Sequence, residues 1–199
     1  MGSRCCRLPA TCCASIYNPG VNPELQAVVE EFDSASSRLR ALRDKVPGDR
    51  WPYRRETDRW SIGECVAHLN LTSTAYLPLL RGGLDEARRS GRKAPERYRR
   101  DLLGWLLWRS MGPPVKRKFK TAAPFVPRAD RTSAELVAEF ERLQAELLAL
   151  AREADGLPID RVKIASPFNT RLRYNVFAAF SILPRHQHRH LWQAEQHLK

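Results

Sequence analysis

The chain has 199 residues, 43% of them hydrophobic, and a formal charge of +12. That length and apolar content can bury a proper core, which reads as one domain. Its longest apolar clusters, such as Leu102-Leu103-Gly104-Trp105-Leu106-Leu107-Trp108, fall far short of the ~20 residues that a bilayer-crossing helix needs, so no membrane span is expected. The charge is concentrated: residues 81–131 hold 15 Lys and Arg against 5 Asp and Glu, and the rest of the chain is almost balanced. Of the 34 basic residues 27 are Arg and 7 are Lys, a bias that a GC-rich genome produces without function. That explanation ranks ahead of a nucleic-acid patch.

From the N terminus, Cys5, Cys6, Cys12 and Cys13 crowd the first 13 residues, and only Cys65 lies in the periodic body. Adjacent cysteines do not form the Cys-x2-4-Cys pairs that zinc fingers use. No continuous apolar stretch follows Arg4, and Cys6 stands where a myristoylation signal wants Ser or Thr. Residues 1–20 are therefore expected to be a disordered leader, and 21–199 the folded domain. The body reads as cytoplasmic, with reduced thiols.

A first helix is expected from the N-cap Asn22, with Pro23 at the first position and Leu25, Val28, Val29, Phe32, Leu39 and Leu42 as its apolar stripe up to Val46. Pro47-Gly48-Asp49 ends it. The polar stretch from Arg50 to Arg59, with Trp51, reads as a surface loop. Ser61-Ile62-Gly63-Glu64 is a capping box, with Trp60 placed as a hydrophobic staple. The second helix is expected to reach about Leu80, with His68 inward beside Leu69. Taken alone, a lone inward histidine is a hydrogen-bonded core residue.

Residues 81–131, punctuated by Gly82-Gly83, Pro95, Gly112-Pro113-Pro114, Pro124 and Pro127, read as a long crossover with one short helix between Arg97 and Met111. A connection of this length lets the two long helices that it joins run parallel. Its aromatic residues are expected to turn inward, making the segment a solvated lid. The third long helix opens on the capping box Thr132-Ser133-Ala134-Glu135, carries Leu136, Phe140, Leu143, Leu147 and Leu150, and stops at Asp155-Gly156. Leu157 to Arg173 reads as irregular. The fourth long helix starts near Asn175 and runs to the end of the chain, with a kink or broken turn expected at Pro184.

His186 and His190, four residues apart, stack on one helical face, the spacing of a two-ligand half of a metal site. His188 lies about 200° around the wheel from His186 and is expected to face outward. A third ligand is available in His68, because bundle cores are where metal sites are assembled from facing helices. Three neutral imidazoles leave a position open, as in catalytic zinc sites. Glu64, one turn before His68, is already explained by its capping box.

The stretch Trp60-Ser61-Ile62-Gly63-Glu64-Cys65-Val66-Ala67-His68-Leu69 resembles the Trp-Ser-x-x-Glu-x-x-x-His-Leu opening of the second helix in the DinB-like (DinB/YfiT) superfamily. The segment from Arg185 to Glu195 is similar to that family's His-x-x-x-His-x-x-Gln ending, and the resemblance covers about residues 22 to 199. It implies an all-α four-helix bundle with a long crossover between helices 2 and 3, and a divalent metal, zinc or nickel, held by His68, His186 and His190. It further implies a metal-dependent transferase or hydrolase that activates water or a low-molecular-weight thiol against a small-molecule substrate. No specific nucleic acid is expected as a partner, and a homodimer is left open. The commonest family ending has a second histidine directly before the last ligand, where this chain has Arg189. The alternative reading is a non-catalytic, metal-stabilised binding protein whose basic crossover engages an anionic partner.

Overall fold

The computed structural model describes residues 22–114, 121–128 and 130–198. The leader expected over 1–20 lies outside the described residues. Five helices run over Pro23–Lys45 (α1), Ile62–Arg89 (α2), Leu102–Met111 (α3), Ser133–Glu153 (α4) and Val176–Glu195 (α5), and two strands over Lys163–Ser166 (β1) and Asn169–Asn175 (β2). The four long helices form the expected bundle, and α3 is the short helix of the crossover.

Each helix begins at a side-chain cap that takes up an otherwise orphaned amide. Asn22 accepts from Glu24 N, and Asp101 from Gly104 N. Ser61 and Thr132 make both halves of their capping boxes. Asn175 Oδ1 accepts from Ala178 N at 2.8 Å.

α1 and α2 each pack against both α4 and α5. The core divides into two apolar clusters. One joins the C-terminal half of α1 and the end of α5 to the first turns of α2 and α4, through Leu39, Leu42, Ile62, Leu69, Phe140 and Leu191. The other gathers the opposite ends of the same helices with the strands. Hence α2 and α4 run parallel, as the long crossover requires. Between the clusters, Ser36 on α1, Thr72 on α2, Gln144 on α4 and Gln187 on α5 are buried polar residues. Gln144 donates to Phe32 O at 2.7 Å and exchanges hydrogen bonds with Gln187 at 3.1 and 2.8 Å, satisfying both amides.

Four local expectations are corrected. α2 does not stop near Leu80 but continues to Arg89 through Pro78, Gly82 and Gly83, because Leu80, Leu84 and Ala87 extend its buried stripe. Gly83 is there for close packing: a Cβ would lie 2.6 Å from a methyl of Val176. The helix ends at Ser90, followed by Gly91 at φ +64°. α5 runs through Pro184 as one helix, so the broken turn expected there is absent. Trp51 is 1% exposed rather than on a surface loop. Its indole N–H donates to Val46 O, and its own carbonyl accepts from Gly63 N at 2.9 Å.

The fourth correction concerns the irregular stretch, which holds an antiparallel hairpin pairing Lys163 with Asn175, Ile164 with Tyr174 and Ala165 with Arg173. Ile164 and Tyr174 face the core while Lys163 and Arg173 are exposed. The hairpin tip carries Phe168 back toward the polar layer.

The crossover covers the bundle in part: Tyr98 is buried and Trp108 packs on the core. Phe125, in a 3-10 turn at Ala123–Phe125, is buried, but α3 leaves Leu102 75%, Trp105 43% and Leu106 49% exposed. Among the described residues no helix is long and apolar enough to cross a membrane.

Candidate metal centre

His68 sits two turns into α2, and His186 and His190 lie one turn apart near the end of α5. The bundle brings all three together at the level of the polar layer. Their ligand-capable nitrogens lie within 4.8 Å of one another. His186 Nε2 is 3.3 Å from His68 Nε2 and 3.1 Å from His190 Nε2. Two imidazole nitrogens on one tetrahedral zinc, each at its usual bond length, stand about 3.3 Å apart.

Tautomers make this spacing informative. His68 Nδ1 is 2.8 Å from Phe125 O. A carbonyl only accepts, so Nδ1 carries the proton and His68 Nε2 presents a bare lone pair. A backbone carbonyl behind a ligand histidine is the arrangement that orients metal-binding imidazoles. His186 Nε2 then touches two other ring nitrogens, and one N–H satisfies only one such contact. A cation between the three lone pairs removes the remaining repulsion, so the donor set fits a metal. The Nδ1 atoms of His186 and His190 are buried with no hydrogen-bond partner among the described residues, so the orienting carbonyl is built at His68 only.

The surroundings keep these rings neutral. Burial pushes the His68 pKa below its ordinary value, against the pull of the Phe125 carbonyl. His186 is held well below by burial, then by His68 and the Arg189 guanidinium. His190 is held well below by burial, then by His186, His68 and Arg189, with Gln193 opposing. Neutral imidazole is the ligating form. Arg189 itself is 7% exposed and adds fixed positive charge beside the centre.

Aromatic rings wall the site. The Trp60 indole stacks on His190 at 5.6 Å between centroids and lies 4.9 Å from His68. Phe168 is 6.4 Å from His68, 5.9 Å from His186 and 4.3 Å from Phe125. Sequence reasoning assigned Trp60 only a staple and gave Phe125 and Phe168 no role. Trp60 immediately precedes the capping box, about two helical turns ahead of His68, which was the available signal; a backbone carbonyl and a hairpin tip have none.

The other candidates lie outside the cluster. Glu64 completes its capping box and is clasped by Arg54. Its burial raises its pKa, but Arg54 and the Ser61 amide and hydroxyl outweigh that and leave it lowered. His188 points away from the centre, though into α1 rather than outward, with Nδ1 accepting from Arg38 at 2.8 Å. His197 contacts Trp60 O. Burial pushes the Cys65 thiol up to about 12, with Glu64 adding to it, which removes it as a nucleophile.

Comparison with curated proteins and with solved structures returns no match. A family model described as the DinB superfamily matches residues 31–194, from α1 to the last turn of α5 and across all three histidines, so the chain belongs to the DinB superfamily.

Proposed function

We propose that His68, His186 and His190 hold one divalent ion, zinc or nickel, through their Nε2 atoms, and that the protein is a metal-dependent enzyme of transferase or hydrolase type. Its nucleophile is water or a low-molecular-weight thiol, and its substrate is an electrophilic small molecule. The observation that carries this reading is the convergence of three buried Nε2 atoms, one of which is necessarily bare. When bound, the ion supplies acidification of water or thiol, for water toward a pKa of about 7.

The chain's own residues do the rest. Phe125 O fixes the His68 ring and its tautomer, burial keeps the three imidazoles unprotonated, and Trp60, Phe125 and Phe168 exclude bulk water. Arg189 favours negative charge arriving at the centre. The reading places the reaction in the cytoplasm, where Cys65 stays a free thiol.

The test is turnover on a panel of thiol-transfer and ester substrates with chelated, reconstituted and His190→Ala protein, alongside circular dichroism. Activity that needs the metal while the helical signal persists supports the enzyme. Turnover undiminished by chelation and by His190→Ala contradicts it. A second reading, a non-catalytic metal-stabilised binding protein whose basic crossover engages an anionic partner, draws on the 15 Lys and Arg against 5 Asp and Glu in residues 81–131. It predicts that metal removal costs stability and that no substrate turns over.

A further inference from the structure

The bundle accounts for one side of α3 only. Gly104 packs so closely on α5 and β2 that a Cβ would meet Ala178 at 2.3 Å and Tyr174 at 3.5 Å. Leu103, Leu107, Trp108 and Met111 pack on the core. Leu102 with Trp105 and Leu106, and those two with Arg109, lie three or four residues apart, the spacing that defines a second face. That face is exposed, and Arg109 reaches over the Trp105 ring at 5.8 Å. Of seven large apolar residues exposed among the described residues, three fall on this single turn and a half of helix. Isolated exposed apolar residues need no explanation, but a cluster does.

The neighbouring hairpin supplies the second observation. β2 packs beside α3, and Lys163 Nζ lies 3.5 Å from Asp101, the cap of α3. Residues 161–175 contain Arg161, Lys163, Arg171 and Arg173, all exposed, and no acidic residue. α3 itself carries Arg109 and no acid. Asp101 and Asp160 are carboxylates beside the hairpin, and Glu24 and Glu31 lie near Trp108 of α3, with Glu31 facing Arg100 and Arg185 and Glu24 paired with Arg97. Asp101 is committed to the α3 cap, to Asn175 N and to Lys163, and Asp160 is part-buried.

We propose that this face docks on a membrane surface rich in anionic lipid, with Leu102, Trp105 and Leu106 entering the headgroup boundary and the hairpin's basic side chains meeting lipid phosphates and carboxylates. A helix face of leucine and tryptophan with a basic hairpin packed beside that helix is the combination that an interfacial site presents. Charge decides against a second copy as occupant. A twofold contact through α3 would bring two acid-free basic hairpins together, whereas an anionic surface neutralises them. It also decides against nucleic acid, because the centre of the patch offers two leucines to a partner that presents phosphates. The inference is independent of the metal and of any activity.

The experiment is co-sedimentation of the full chain with vesicles of phosphatidylcholine alone or with about 30% phosphatidylserine, at low and at roughly 0.1 M salt. Analytical ultracentrifugation and a DNA-binding assay run in parallel. Binding to the anionic vesicles should exceed binding to the neutral ones by at least about tenfold and weaken with salt without vanishing, because part of it is apolar. Leu102→Glu/Leu106→Glu should abolish it while lowering the melting temperature by only a few degrees, since Leu102 is mostly and Leu106 about half exposed. Arg171→Glu should weaken it several-fold and provides an independent arm should the double variant fold poorly. No binding to anionic vesicles overturns the proposal, and so does binding that both variants retain. A dimer dissociated by Leu102→Glu/Leu106→Glu, or DNA affinity lost with Arg171→Glu and no lipid affinity, overturns it in favour of those partners.

Discussion

Replacing Gln144 by alanine is expected to destabilise the bundle more than any exposed change, because the side chain ties three helices across the polar layer. It donates to Phe32 O on α1 and exchanges two hydrogen bonds with Gln187 on α5. Both amides are buried, at 3% and 1% exposure. Phe32 O keeps the Ser36 hydroxyl as a partner, so truncation leaves it served. The Gln187 amide loses its oxygen's donor and its nitrogen's acceptor at once. Each orphaned buried group costs about 1–3 kcal/mol, so the sum is roughly 2–6 kcal/mol. For a domain of this size, at about 2–4 °C per kcal/mol, that corresponds to a fall in melting temperature of about 4–24 °C. Urea denaturation of metal-free protein measures it. The double change Gln144→Leu/Gln187→Leu, which removes both partners together, should cost less than the two single changes added, by about 1–3 kcal/mol. A Gln144→Ala variant within about 0.5 kcal/mol of wild type, or strictly additive leucine variants, would refute the polar layer as a coupled unit.

Metal-free stability should fall with acidification. The folded pKa values of His68, His186 and His190 lie below the ordinary 6.5, so the unfolded chain takes up protons that the folded one refuses. Stability is therefore full above about pH 6.5 and is lost as pH falls from there through the folded values, at up to about 1.4 kcal/mol per pH unit for each histidine. A flat melting temperature from pH 7 to pH 5 in chelator would contradict this. Gly104→Ala should cost about 1–3 kcal/mol by driving a methyl into Ala178, read by thermal melting. His188→Ala should lower stability by loosening Arg38 between α1 and α5 while leaving metal content unchanged, which elemental analysis checks.

The parts of this molecule legible in its sequence are those governed by local chemistry. Asn22, Ser61, Thr132 and Asn175 announce helix starts because each side chain satisfies an amide two or three residues on. The spacing of His186 and His190 fixes their common face whatever surrounds them. What failed were inferences from residue type where tertiary packing wins. Gly82-Gly83 read as a breaker, yet Gly83 is the contact that lets Val176 and Ile164 lie against α2. Trp51 sits in a polar stretch but caps the end of the bundle through Val46 and Gly63. The hairpin went unseen because β1 spans four residues and its apolar alternation is too brief to register. With it went Phe168, and the crossover's Phe125 carbonyl has no sequence signature, so the wall and the orienting acceptor of the site became visible only in three dimensions.

The central claim is that three histidines from two helices hold one ion. Elemental analysis of purified protein after zinc or nickel loading and exhaustive dialysis tests it most directly, with His68→Ala, His186→Ala and His190→Ala beside His188→Ala. One ion per chain is expected in wild type and in His188→Ala, and a loss of most of it in each of the other three at unchanged helical content. A wild type that retains no ion, or a His186→Ala variant that retains as much as wild type, would contradict the account.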